Sequence, residues 1–98
     1  MSKITESARG EQCQIRLPFI CNFDPTTTVW AHANKPNKPK GGKMPDALGS
    51  YACFKCHAVY DRGIPIPKGS HMTRGDVELA FWEGHARSLI MLLERGLI

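Results

Sequence analysis

Two thiols three positions apart, Cys53 and Cys56, are followed at once by His57 and, one helical turn later, by Asp61, all within the run YACFKCHAVYDRG at 51–63. No other stretch narrows the choice of folds as far. A C-x-x-C turn brings both sulfurs to one side and can grip a single metal ion through a tight knuckle. With a helix starting at the knuckle, His57 and Asp61 become an i, i+4 pair on one face. The run therefore predicts a structural metal site and half of a catalytic one in a single short segment.

The chain has 98 residues and two further cysteines, Cys13 and Cys21. A domain of that size buries a modest core and is expected to need a staple. Four cysteines can supply it as two disulfides or as one zinc ion, and the choice follows the compartment. The opening MSKITESARGEQCQ has no apolar core of a signal peptide, and no run approaches the roughly 18 apolar residues that a membrane span requires. The expectation is a single domain over 1–98 in the cytoplasm, with reduced thiols and no membrane partner. Zinc held by Cys13, Cys21, Cys53 and Cys56 follows from it, and a closed four-thiolate set is structural because no coordination position stays open.

Along the chain, residues 1–12 read as a polar lead-in with at most one helical turn near 6–9. In CQIRLPFIC, Ile15 and Leu17 alternate with Gln14 and Arg16, the period of a half-buried strand ended by Pro18. After a turn at 22–25, the β-branched and aromatic run TTTVWAH predicts a second strand, antiparallel to the first, with His32 at its end. The next segment, 34–50, interleaves Lys35, Lys38, Lys40 and Lys43 with three prolines and a Gly-Gly pair. It is expected to run over the surface, either as a solvated linker or as an arm that grips phosphates; the formal net charge of +4 is compatible with a polyanionic partner.

A short helix is expected from Phe54 to Arg62, stopped by Gly63, then a loop over 64–72. Thr73 to Arg95 reads as one long helix, with Thr73 and Asp76 placed for N-capping and Gly96 for its end. It carries two apolar stripes, one through Leu79, Trp82, Ala86, Leu89 and Leu93, the other through Val77, Phe81, Gly84, Ser88 and Leu92. One of them is expected to meet either the rest of the domain or a second copy of the chain, giving a homodimer. His85 lies on the polar strip between and reads as solvated.

The order of these parts, a strand ending in His32, a basic segment, the cysteine knuckle and a helix with His57, resembles the ββα-metal nucleases of the His-Me finger, HNH-like type. More closely, CQIRLPFIC, VWAH and ACFKCH, spanning residues 13–57, look like the Rap/YbcO family of phage and prophage recombination nucleases. The resemblance implies an α+β fold with a β-hairpin and a metal-dependent DNA endonuclease, acting on branched recombination intermediates in a bacterial cell. It assigns His32 to activating water and His57 to holding Mg²⁺ or Mn²⁺. Two departures stand out: Ala31, not an acid, precedes His32, and Leu48, Gly49 and Ser50 lie where an asparagine is common. Asp46 or Asp61 can complete the cation site instead.

The chemistry is consistent with those roles, since a phosphodiester repels hydroxide and its hydrolysis needs a base for water and positive charge for the transferring phosphoryl group. Two other classes share parts of the pattern. A zinc-stapled DNA-binding module without catalysis needs the lysines but neither histidine. Covalent haem attachment uses C-x-x-C-H but leaves Cys13 and Cys21 without a role.

Overall fold

Reciprocal capping starts the longest element. Thr73 Oγ1 accepts from the Asp76 N–H at 3.1 Å, and the Asp76 carboxylate accepts from the Thr73 N–H at 2.8 Å. The computed structural model describes residues 3–34 and 45–98. In order it contains α1 (Lys3–Ser7), β1 (Val29–His32), β2 (Gly49–Ala52), α2 (Phe54–Tyr60) and α3 (Arg74–Glu94), with 3-10 turns at Pro25–Thr27 and Lys68–Ser70. β1 and β2 pair antiparallel, with Trp30 opposite Tyr51 and His32 opposite Gly49. The result is a small α+β fold with a two-stranded hairpin and a long C-terminal helix. No described helix is long and apolar enough to cross a membrane.

α3 lays its second stripe, Val77, Phe81, Gly84, Ser88 and Leu92, into the core. Gly84 is there for space: a Cβ would stand 2.8 Å from both the Gln14 carbonyl oxygen and Ser50 Oγ. One turn on, Ser88 Oγ donates to the Gly84 carbonyl at 2.7 Å and accepts the Tyr51 N–H at 3.1 Å, so the helix is hydrogen-bonded to β2 through a buried hydroxyl. Phe81 stacks on Tyr60 with centroids 3.9 Å apart, and Arg74 donates to the Val59 carbonyl at 2.7 Å and to that of Tyr60. These contacts lock α2 onto α3. α1 covers the far end, where Ile4 and Ala8 pack on Trp30, Tyr51 and Leu92.

The first stripe points outward, with Leu79 60% and Leu93 58% exposed. His85 differs from the expectation of a solvated side chain: it is half-buried, its Nδ1 lies 2.8 Å from the Gly49 carbonyl, and its ring meets Trp82 edge-on. A histidine facing a strand's free carbonyl gains a partner that periodicity cannot reveal.

The expected strand at 13–17 is absent. Arg16 takes a left-handed φ of 55°, which breaks the extended run. The N–H groups of Arg16 and Leu17 turn to sulfur, at 3.5 Å from Cys13 Sγ and 3.4 Å from Cys56 Sγ. One ladder-like bond survives, from the Gln14 N–H to the Tyr51 carbonyl at 2.9 Å. The partner of β1 is therefore β2, whose first residues had read as the end of a surface loop. Gly49 and Ser50 are buried because Trp30, Gln14 and α3 close over them. α2 ends at Tyr60, short of Arg62, and the left-handed residue that closes it is Arg62 itself at φ 66°, one before the expected glycine.

Candidate metal centre and active site

Cys13 and Cys21 flank an irregular loop, and Cys53 and Cys56 open α2, with Cys53 as its N-cap. The four sulfurs lie within 4.8 Å of one another, and the Cys53–Cys21 separation is 3.8 Å. Zinc–sulfur bonds of about 2.3 Å arranged tetrahedrally put neighbouring sulfurs about 3.8 Å apart. The set thus fits a metal ion such as zinc. Three of the four are fully or nearly buried, Cys21 less so.

Such crowding sets the thiols against one another. The Cys56 thiol donates to Cys13 and, despite burial, holds it well below the ordinary thiol range. Cys56 is pushed far up, first by that same bond and then by burial; burial raises Cys21 to about 12. Several negative sulfurs cannot share so small a volume without a cation to offset them. Backbone N–H groups already point at three of the sulfurs, from Arg16 to Cys13, Leu17 to Cys56 and Cys56 to Cys53, an arrangement that favours thiolates.

The second cluster is open to solvent. His32 ends β1, and its Nε2 lies 2.8 Å from Asp46 Oδ1, both side chains being nearly half exposed. Asp46 is placed by its backbone, whose carbonyl accepts the Trp30 indole N–H at 2.8 Å. On α2, His57 Nε2 and Asp61 Oδ2 are 2.7 Å apart, the i, i+4 pairing expected from spacing. Burial pushes the Asp61 carboxyl up, but the hydrogen bond and charge of His57, helped by Asn34, outweigh it and hold the group below the usual carboxylate range.

Asn34 joins the two parts. Its Nδ2 donates to Asp61 Oδ1 at 3.3 Å, and its N–H donates to Tyr60 Oη at 2.8 Å. The strand end bearing His32 is thereby pinned to the C-terminal end of the helix bearing His57. The Tyr60 phenol is pushed up, chiefly by burial, so it stays neutral while accepting. Sequence reasoning missed Asn34. The signal was there in the alternation of an extended chain, which puts residue 34 on the same side as residue 32.

The two carboxylates left open by the sequence thus fall to different histidines, Asp46 to His32 and Asp61 to His57. Two ligands 2.7 Å apart suit neighbouring positions on one octahedral cation, where bonds of about 2.1 Å separate neighbours by about 3.0 Å. Among the described residues the four cysteines are the one group of three or more metal-ligating side chains with its atoms together. A cation at His57 and Asp61 would take its remaining ligands from water and phosphate, which is how Mg²⁺ is commonly held. Lys35, Lys38, Lys40 and Lys43 lie outside the described residues.

The same arrangement of chain is found in known proteins. A family model described as "Putative nuclease YbcO" matches residues 2–97. The chain belongs to the YbcO family. It is 33% identical over 99 aligned positions to "Putative nuclease YbcO" of Escherichia coli (strain K12), an alignment covering 100% of this chain and 98% of that one. The protein of the same description from Enterobacteria phage 82 matches equally, at 33% identity. A solved structure, of "a putative bacteriophage protein from Escherichia coli str. K-12 substr. MG1655", superposes with a TM-score of 0.74 at 35% identity, covering 94% of this chain and 98% of that one.

Proposed function

We propose that this YbcO-family chain is a metal-dependent DNA endonuclease of the His-Me finger type, with His32 as general base and His57 with Asp61 as the ligands of a catalytic cation. The observation that supports the reading is the pairing of four side chains: each histidine has its own carboxylate, and Asn34, two residues after His32, is hydrogen-bonded to Asp61. A carboxylate accepts from Nε2–H of His32, which leaves the lone pair on Nδ1. That nitrogen takes a proton from the attacking water, the new oxygen–phosphorus bond forms, and the bond to the leaving oxygen breaks. Asp46 keeps the ring in this tautomer and stabilises the imidazolium that results, a role that an acidic residue immediately before His32 would otherwise fill. A divalent cation bound by His57 and Asp61 supplies positive charge against the phosphoryl and leaving oxygens.

Zinc at Cys13, Cys21, Cys53 and Cys56 takes no part in bond breaking in this reading. It fixes the start of α2, and with it the position of His57 directly after Cys56. In sequence, Lys35, Lys38, Lys40 and Lys43 fall between His32 and Asp46, the two members of one pair. Those lysines are assigned to the phosphates of the DNA. Branched recombination intermediates are the proposed substrates.

Incubating purified protein with plasmid and branched DNA in Mg²⁺, in Mn²⁺ and with neither tests the reading. Cation-dependent cutting that disappears in His32→Ala supports it. If no DNA is cut under any of these conditions while binding persists, the zinc-stapled binding module is the better description.

A further inference from the structure

On the far side of α2 from His57 lies a cavity of about 240 Å³ lined by Phe19, Ile20, Asn22, Val59, Ile64 and Lys55. One lining residue, Phe19, and a ring four residues on in the chain, Phe23, are unusual in two ways. Phe19 is 93% exposed and Phe23 71% exposed, so neither ring contributes to the core. Both also sit at left-handed backbone angles, φ 63° and 54°, where glycine or asparagine fits at lower steric cost. An aromatic ring kept in a costly conformation and turned to solvent has its use outside the chain. Phe54, at the start of α2, is a third exposed ring.

We infer that this cavity binds an unpaired nucleobase of the DNA substrate, with Phe19 as the stacking surface and Lys55 meeting the adjoining phosphate. This rests on the proposal that the chain acts on DNA. Three observations favour a base over an apolar protein segment. Lys55 is part of the lining, the chain as a whole is cationic, and the cavity has room for one heteroaromatic ring system more readily than for a row of side chains. Aromatic rings accept every base with little regard to sequence, and a nearby cation holds the backbone. Placement adds a fourth reason. Lys55 and Val59 are separated from His57 and Asp61 by roughly half a turn of α2, so the two sites lie about one helix diameter, ~10 Å, apart. That is roughly three stacked base steps at ~3.4 Å each. A base seated here would set the register of the strand at His32, and DNA with unpaired positions, such as a gap or a branch point, would be preferred to continuous duplex.

The test is binding by the zinc-loaded full chain without Mg²⁺ or Mn²⁺, using a duplex and the same duplex with a gap of unpaired bases containing 2-aminopurine. Wild-type protein is expected to bind the gapped DNA more tightly and to quench the 2-aminopurine by stacking. Phe19→Asn removes the ring yet suits the left-handed backbone, so its Tm should equal or exceed that of wild type. It should lose on the order of tenfold in affinity for gapped DNA, and the quenching with it, while duplex affinity changes by less than about twofold. Phe19→Trp should keep both. Gapped DNA bound no better than duplex by wild type, or Phe19→Asn binding gapped DNA as wild type does, or an equal loss on both DNAs, overturns the inference. Because no cleavage is read, a chain that stacks bases but never cuts removes the nuclease proposal alone, and a chain that cuts while Phe19→Asn binds normally removes this one alone.

Discussion

The cysteine cluster and the histidine pairs are one residue apart in sequence, at Cys56 and His57, and opposite in physical character. Cys56 is fully buried, and its sulfur accepts a backbone N–H from a loop 39 residues away. His57 is about a third exposed and paired with a carboxylate on its own helix. The first centre is closed and made of groups that need a cation to coexist. The second is open, and its members can exchange partners with water and phosphate. Burial here separates a closed sulfur cluster from polar pairs that solvent can reach.

The sharpest way to break that contrast is to attack the closed centre. Cys53→Ser, or removal of zinc by a strong chelator, should abolish cooperative unfolding near the wild-type Tm, since structural zinc contributes on the order of 10 kcal/mol, comparable to the whole stability of a small domain. Thermal melts with metal analysis on the same samples read it out. A folded, zinc-free Cys53→Ser protein would show that hydrophobic packing alone suffices.

Changes at the open centre should do the reverse. His32→Ala should lower cleavage by on the order of 10²- to 10⁴-fold, with zinc content and Tm close to wild type; a large drop in Tm would mean that the His32–Asp46 pair is structural. His57→Ala should also lose cleavage, but raised Mn²⁺ should restore part of it, because the defect is cation affinity. If added Mn²⁺ restores His32→Ala equally well, the two histidines do not divide the work as proposed.

A smaller effect probes the scaffold common to both. Gly84→Ala would improve helix propensity on an exposed helix, but here the new methyl meets the Gln14 carbonyl and Ser50 Oγ at 2.8 Å. It should destabilise by about 1–3 kcal/mol, and chemical denaturation measures it. A stabilised Gly84→Ala protein would mean that α3 and β2 separate more easily than their hydrogen bonds through Ser88 imply.

Local signals were legible wherever one residue type had few alternatives. The capping pair Thr73 and Asp76, the stop at Gly96, the i, i+4 placement of His57 and Asp61, and the gathering of four cysteines all rest on short-range geometry or on a chemistry with few substitutes. The hairpin was misread because its strands are short and its partner choice is made elsewhere. Alternation in CQIRL satisfies a strand, yet two of its N–H groups are taken by sulfurs. GSYA carries little strand propensity and is buried by α3 instead. Asn34 escaped notice, and Asp46 was read as a possible cation ligand instead of the partner of His32, for the same reason: the partners, Asp61 and His32, lie 27 and 14 residues away.

α2 carries a consequence for how such a protein can change over time. In seven residues, Cys56 belongs to the sulfur cluster, His57 to the pair with Asp61, Lys55 and Val59 to the cavity wall, and Tyr60 to both Phe81 and Asn34. A helix with so few idle positions has little neutral space, so most single substitutions disturb two tasks at once. Variation would then be absorbed outside it, at positions such as Asp46 and Asn34, where one side chain can be exchanged without moving a neighbouring sulfur.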